Sequence, residues 1–154
     1  MAVSGDEGRG NRVFEAPVDG GPAVRLLDTG SAAPVWSPDG HMIVYAGPNI
    51  GGTRRVLAMT PDGKPVRFPE MSVSLKMDGY RFLPDGRSLV LLQGAAPNQA
   101  FWLVDIATGE RRRLPAVPPG PEIQGFDVTT GGKHVLFDRI RPNADIVLIE
   151  LTRP

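Results

Sequence analysis

The chain has 154 residues, of which 41% are hydrophobic and 22% charged, and its 17 Lys and Arg balance 17 Asp and Glu. That length suits one domain with a sizeable core, and the charge balance supplies no basic field for nucleic acid or an anionic membrane. Cysteine is absent, which excludes disulfides and thiolate chemistry; no run reaches the ~18 apolar residues of a membrane span, so membrane insertion by this segment is not expected.

Taken in chain order, Met1-Ala2-Val3 reads as a clipped strand. The glycine-rich stretch Gly5 to Gly10 has no helix after it to build a phosphate site, and Met1 to Gly10 has no apolar core of a signal peptide. Arg12 to Ala16 and Ala23 to Leu27 are predicted strands on either side of the turn Asp19-Gly20. A first full unit then begins: an inner segment ending in Trp36, the turn Ser37-Pro38-Asp39-Gly40, a strand at Met42 to Tyr45, a strand at Arg55 to Met59, the turn Asp62-Gly63 and an outer strand at Pro65 to Phe68. The next unit repeats it at a fixed interval of 46 residues, with Phe82, the turn Leu83-Pro84-Asp85-Gly86, strands at Leu89 to Leu92 and Phe101 to Ile106, the turn Thr108-Gly109 and an outer strand at Arg111 to Leu114. A last unit offers Val128, the turn Thr129-Thr130-Gly131-Gly132, a strand at Val135 to Phe137 and a third strand at Asp145 to Leu151.

Each turn has a mechanism. Pro38 and Pro84 preset φ at the first corner, Asp39 and Asp85 can accept bonds from N–H groups ahead of them, and Gly40 and Gly86 take the positive φ at the exit. The recurring unit has the size of a four-stranded propeller blade. The expected architecture is therefore all-β: a β-propeller segment of 13 or 14 strands in three to four blades, open as an arc. Its single domain divides into a partial blade at 1–30, blades at 31–76 and 77–122, and a partial last blade at 123–154.

Trp36-Ser37-Pro38-Asp39-Gly40, Phe82-Leu83-Pro84-Asp85-Gly86-Arg87 and Trp102 to Glu110 resemble the TolB-like propellers built of WD40-like Pro-Asp repeats. Phe126 to Ile149 looks like the closing blade of propellers that end multidomain bacterial proteins, receptor-type serine/threonine kinases among them. The resemblance implies a non-catalytic binding or sensing module, the C-terminal part of a longer propeller on the periplasmic or extracellular side of a bacterial parent. It leaves two rivals: the substrate-gating propeller of a prolyl-oligopeptidase-type peptidase, and a TolB-type periplasmic interaction protein.

Signatures of chemistry are sparse. No Gly-x-Ser-x-Gly elbow occurs, and the two histidines, His41 and His134, stand at polar strand starts. Neither a cofactor nor a metal is expected. Asp127, Asp138 and Asp145 with Arg139 and Arg141 read as structural ion pairs of the last blade, since these carboxylates have no cation-loop spacing. Trp36, Phe82 and Trp102 are expected to pack between blades, and Tyr80 and Phe126 to reach a candidate binding rim. Open blade ends, with Val13 and Phe14 at one end and Val135, Phe137, Val147 and Ile149 at the other, predict self-association.

Overall fold

A run such as Leu89-Val90-Leu91-Leu92 has no polar face because both faces of its sheet are covered. The computed structural model describes residues 1–6, 10–74, 79–115 and 117–140, and their regular structure is all β: fourteen strands in four antiparallel sheets. The first sheet orders β1 (Ala2–Asp6), β2 (Asn11–Glu15) and β3 (Val24–Arg25) side by side. The second orders β4 (Ala32–Trp36), β5 (Ile43–Ile50), β6 (Thr53–Met59) and β7 (Pro65–Val66), and β8 (Ser72–Ser74) joins the same edge of β6. The third is the meander β9 (Tyr80–Phe82), β10 (Ser88–Gln93), β11 (Ala100–Asp105) and β12 (Arg111–Arg113). The fourth pairs β13 (Phe126–Val128) with β14 (Val135–Phe137).

Strand alternation sends successive side chains to opposite neighbours. Along β5, Ile43 and Tyr45 join Val13 and Met59 against the first sheet, while Val44 and Ala46 join Tyr80, Phe82, Leu89 and Leu91 from the third. Along β10, Leu89 and Leu91 face the second sheet, and Val90 and Leu92 face Phe101, Ile123 and Phe126 beside the fourth. Three apolar layers thus alternate with four sheets. This is the face-to-face stacking of propeller blades, and it explains why the strand runs lack a polar phase.

The strand total agrees with the expectation, but its membership differs. The third strand foreseen at Asp145 to Leu151 lies outside the described residues, and β8 was not foreseen. The outer strand predicted at Pro65 to Phe68 is instead split: pairing moves from Ala58↔Val66 to Arg55↔Ser72, so three residues of β6 are matched by six of its partner. Pro65 and Pro69 lack an N–H, and the ladder resumes only where the Met71 carbonyl accepts from Val56 N at 2.9 Å.

Five positive-φ glycines punctuate the whole: Gly40, Gly63, Gly86, Gly109 and Gly132, each 23 residues after the one before. The first–second and third–fourth turns of a meander lie on one side of the sheet, so these five turns share one face of the arc. There the turns of successive blades touch. A Cβ on Gly86 would meet Pro38 Cδ at 3.7 Å, and one on Gly132 would meet Pro84 Cδ at 3.1 Å.

Candidate functional site

The Pro-Asp turns are knitted from within. In the first, Gly40 N donates to the Ser37 carbonyl at 2.9 Å, Ser37 Oγ donates to Asp39 Oδ1 at 2.6 Å, and His41 N donates to the same oxygen at 3.1 Å. In the second, Gly86 N donates to the Leu83 carbonyl, while Arg87 N and Ser88 N donate to Asp85 Oδ1 at 2.8 and 3.2 Å. The Ser37 hydroxyl hydrogen bond, aided by His41 N–H, holds the Asp39 carboxyl below the ordinary 3.8. Asp62, bonded by Lys64 and Thr60, and Asp105, bonded chiefly by Thr108 N–H, are lowered in the same way.

Ser37, Asp39 and His41 share one turn without forming a catalytic triad. The hydroxyl donates to the carboxylate directly, the histidine contributes its backbone N–H, and Ser37 is buried, so no base is placed to take a proton from Oγ. Of the aspartate and arginine cluster in the last blade, Arg141 and Asp145 lie outside the described residues. Among the described residues, Asp138 and Arg139 of that cluster bond to backbone groups. Asp138 Oδ1 accepts from Gly125 N at 2.6 Å, and Arg139 Nη2 donates to the Pro118 carbonyl at 2.5 Å with its guanidinium 5.5 Å from the Phe137 ring centroid. Among the described residues no group of three or more His, Asp or Glu converges as a metal site.

Trp36 packs against Val13, Ile43 and Met59 between the first and second sheets, with its indole Nε1 buried and without a partner among the described residues. Phe82 and Trp102 belong to the layer between the second and third. The rim expected of Tyr80 and Phe126 is corrected. Tyr80 is 1% exposed and Phe126 6%, because their slot points at the preceding blade rather than out of the sheet edge. Tyr80 Oη instead donates at 2.6 Å to the carbonyl of Ala33, whose φ of 50° marks the bulge in β4.

The residue that sequence reasoning missed is Arg81, between those two buried aromatics. The first strands of their sheets, β4, β9 and β13, lie side by side, and β1 adjoins β4. Arg81 lies there, half-buried, with its Nη1 donating to the Tyr80 carbonyl at 2.9 Å and its Nε 4.0 Å from Asp127 Oδ1 of the next blade. Its Cζ is 5.6 Å from the Phe126 ring centroid. On its other side is a cavity of about 490 Å³ lined by Ala2, Val3 and Ser4 of β1 and by Ala33 to Trp36 of β4. Four blades meet around one guanidinium. The available signal was the slot itself: Val35, Arg81 and Asp127 stand 46 residues apart on inner strands, and two of the three are charged where a packed interior needs none.

Neither a family model nor a curated protein matches this sequence. Among solved structures, TolB from Acinetobacter baumannii is similar at 20% identity with a TM-score of 0.66, over 86% of this chain and 33% of that one. A candidate 6-phosphogluconolactonase from Bacteroides uniformis is similar at 17% identity with a TM-score of 0.50, over 82% of this chain and 40% of that one. This chain thus spans about a third of the length of TolB. Together with the stacked meanders, the likeness shows a TolB-like β-propeller-type fold in a partial, open arrangement.

Proposed function

We propose that the chain is a non-catalytic binding module, a stretch of a larger propeller whose inner wall receives a partner. The observation that carries this reading is Arg81, a half-exposed guanidinium held over Phe126 and beside a cavity that two further blades line. Such a group recognises carboxylate or phosphate oxygens with directional bonds. The turn aspartates and interblade aromatics are already committed to holding the structure, which supports a binding role over chemistry. The module belongs to Pro-Asp repeats with blade boundaries near residues 30, 76 and 122, and its context is the C-terminal propeller of a signalling protein such as a receptor-type kinase. A TolB-type interaction protein is the second reading, favoured by the structural likeness to TolB.

Selection from a displayed random peptide library tests the module directly. The chain is expected to enrich acidic peptides that lose at least tenfold in affinity for Arg81→Ala, measured at a temperature where that variant remains folded. Enrichment of nothing, or of peptides indifferent to Arg81, would count against the inner wall. In parallel, the chain should hydrolyse no peptide or ester and transfer no phosphate; turnover that tracks the chain and is lost in His134→Ala would overturn the non-catalytic reading.

A further inference from the structure

β12 is the last strand of the third sheet and, among the described residues, pairs with β11 alone. Asp105 N donates to the Glu110 carbonyl and Leu114 N to the Phe101 carbonyl, so the even-numbered residues of this segment bond toward β11. Alternation then turns the N–H and C=O groups of Arg111 and Arg113 to the open edge. The other outer strands offer less: β3 and β7 are two residues each, and Pro65 of β7 has no N–H to give. Arg111, Arg112 and Arg113 are all exposed, and none forms an ion pair among the described residues. Of the acids nearby, Asp105 accepts from Ala107 N and Thr108 N of its own turn, and Glu70 stands 3.8 Å from Arg55. That leaves Glu110 against three guanidinium groups.

We propose that this edge docks an acidic extended segment of another protein as a fifth strand, antiparallel like the other pairings of the sheet. Its residues opposite Arg111 and Arg113 would lie on the face toward the second sheet, where Val104 and Trp102 stand, and the residue opposite Arg112 on the face toward the fourth. Carboxylates at all three places gain forked, charge-assisted bonds, while the ladder supplies bonds that any sequence can make. Arg111 is held in place before a partner arrives, because its Nη2 donates to the Glu70 carbonyl at 2.6 Å. The same arginines exclude other occupants. A second copy of β12 would set arginine against arginine, and an uncharged strand would leave their charge uncompensated. β9, which carries Arg81, is at the opposite edge of this sheet, so the docking edge is independent of the inner wall. Further blades stack on sheet faces and leave an outer edge open.

A contact this short is weak, so titration rather than library selection tests it. The probe is a fluorescein-labelled peptide, Thr-Glu-Glu-Glu-Thr with blocked ends, added to the full chain at a temperature where every variant is folded. It is expected to bind, and in the unmodified chain to slow hydrogen exchange of the Arg111 and Arg113 amides while the Leu114 amide, already bonded to Phe101, keeps its rate. Arg111→Gln with Arg113→Gln should weaken binding about tenfold, and Arg81→Ala should leave it unchanged. A peptide with Gln for Glu should not bind, and N-methylation of the first and third Glu, which removes the ladder donors, should abolish binding. Absence of binding, or affinity indifferent to the two arginines, would overturn the proposal. So would affinity that survives N-methylation, which is charge attraction without a strand, or affinity lost in Arg81→Ala, which would put the peptide on the inner wall.

Discussion

Asp39 and Asp85 occupy the same corner of successive turns but gather different donors, a hydroxyl and one N–H for Asp39 and two N–H groups for Asp85. Asp39→Ala and Asp85→Ala should each lower the thermal midpoint, because each removes the acceptor of two turn hydrogen bonds. Equal thermal midpoints for wild type and both variants would contradict this. The acid response follows from the direction of the shifts. Asp39, Asp62 and Asp105 are held below 3.8 when folded, so the folded state favours their charged forms. The stability they contribute is complete above the unfolded value of about 3.9 and is lost as pH falls through the lower folded values. A thermal midpoint that falls below about pH 4, and falls less in Asp39→Ala, is the expected profile. Tyr80→Phe removes the donor to Ala33 at the β4 bulge and should cost about 1 kcal/mol, measured by urea unfolding. These turns were legible in the sequence because their chemistry is local. Arg81 was not, because its meaning depends on Phe126 and Asp127, some 45 residues away along the chain.

At the scale of strands, local pattern and register parted company. The apolar runs at Ile43 to Ala46 and Leu89 to Leu92 announced strands covered on both faces, and the sheets stack accordingly. β8 escaped notice because Ser72-Val73-Ser74 is too short to show a pattern and is a strand only through its pairing with Thr53 to Arg55. Glycines separate by what surrounds them in the sheets. A Cβ on Gly79 would come within 2.8 Å of the Leu92 carbonyl oxygen, while nothing lies within 4 Å of one on Gly131. Leu92 N also donates to the Gly79 carbonyl at 2.7 Å, so the two backbones cannot separate without losing that bond. Gly79→Ala should therefore destabilise by about 1–3 kcal/mol. Gly131→Ala, which has room and no positive φ to relieve, should be neutral or add up to about 1 kcal/mol by stiffening the unfolded chain. A Gly79→Ala midpoint equal to wild type would show that β9 and β10 yield more than packed sheets do.

For the whole molecule, the repeat made the architecture readable and left the ends to be judged by which way each side chain turns. Val13, expected on an open face, is fully buried against Ile43 and Met59, since the odd residues of β2 turn inward and Phe14 turns outward. Val135 and Phe137 line the groove toward the third sheet, which leaves Leu136, 63% exposed, on the outward face of the fourth. Val147 and Ile149 lie outside the described residues. Leu136 and Ile140, 63% and 45% exposed, both belong to the last described segment. A single exposed leucine is ordinary on a monomer, but apolar side chains together at an unpartnered sheet are a docking surface. We expect the chain to associate through this end, two arcs together approaching the four to eight blades of a closed ring. Sedimentation velocity should show the weight-average mass rising over a hundredfold range of concentration. Leu136→Asp should suppress that rise without lowering the thermal midpoint of the dilute chain, because the side chain contributes little to the fold it stands on. A constant monomer mass, or association indifferent to Leu136→Asp, would place the contact elsewhere or deny it.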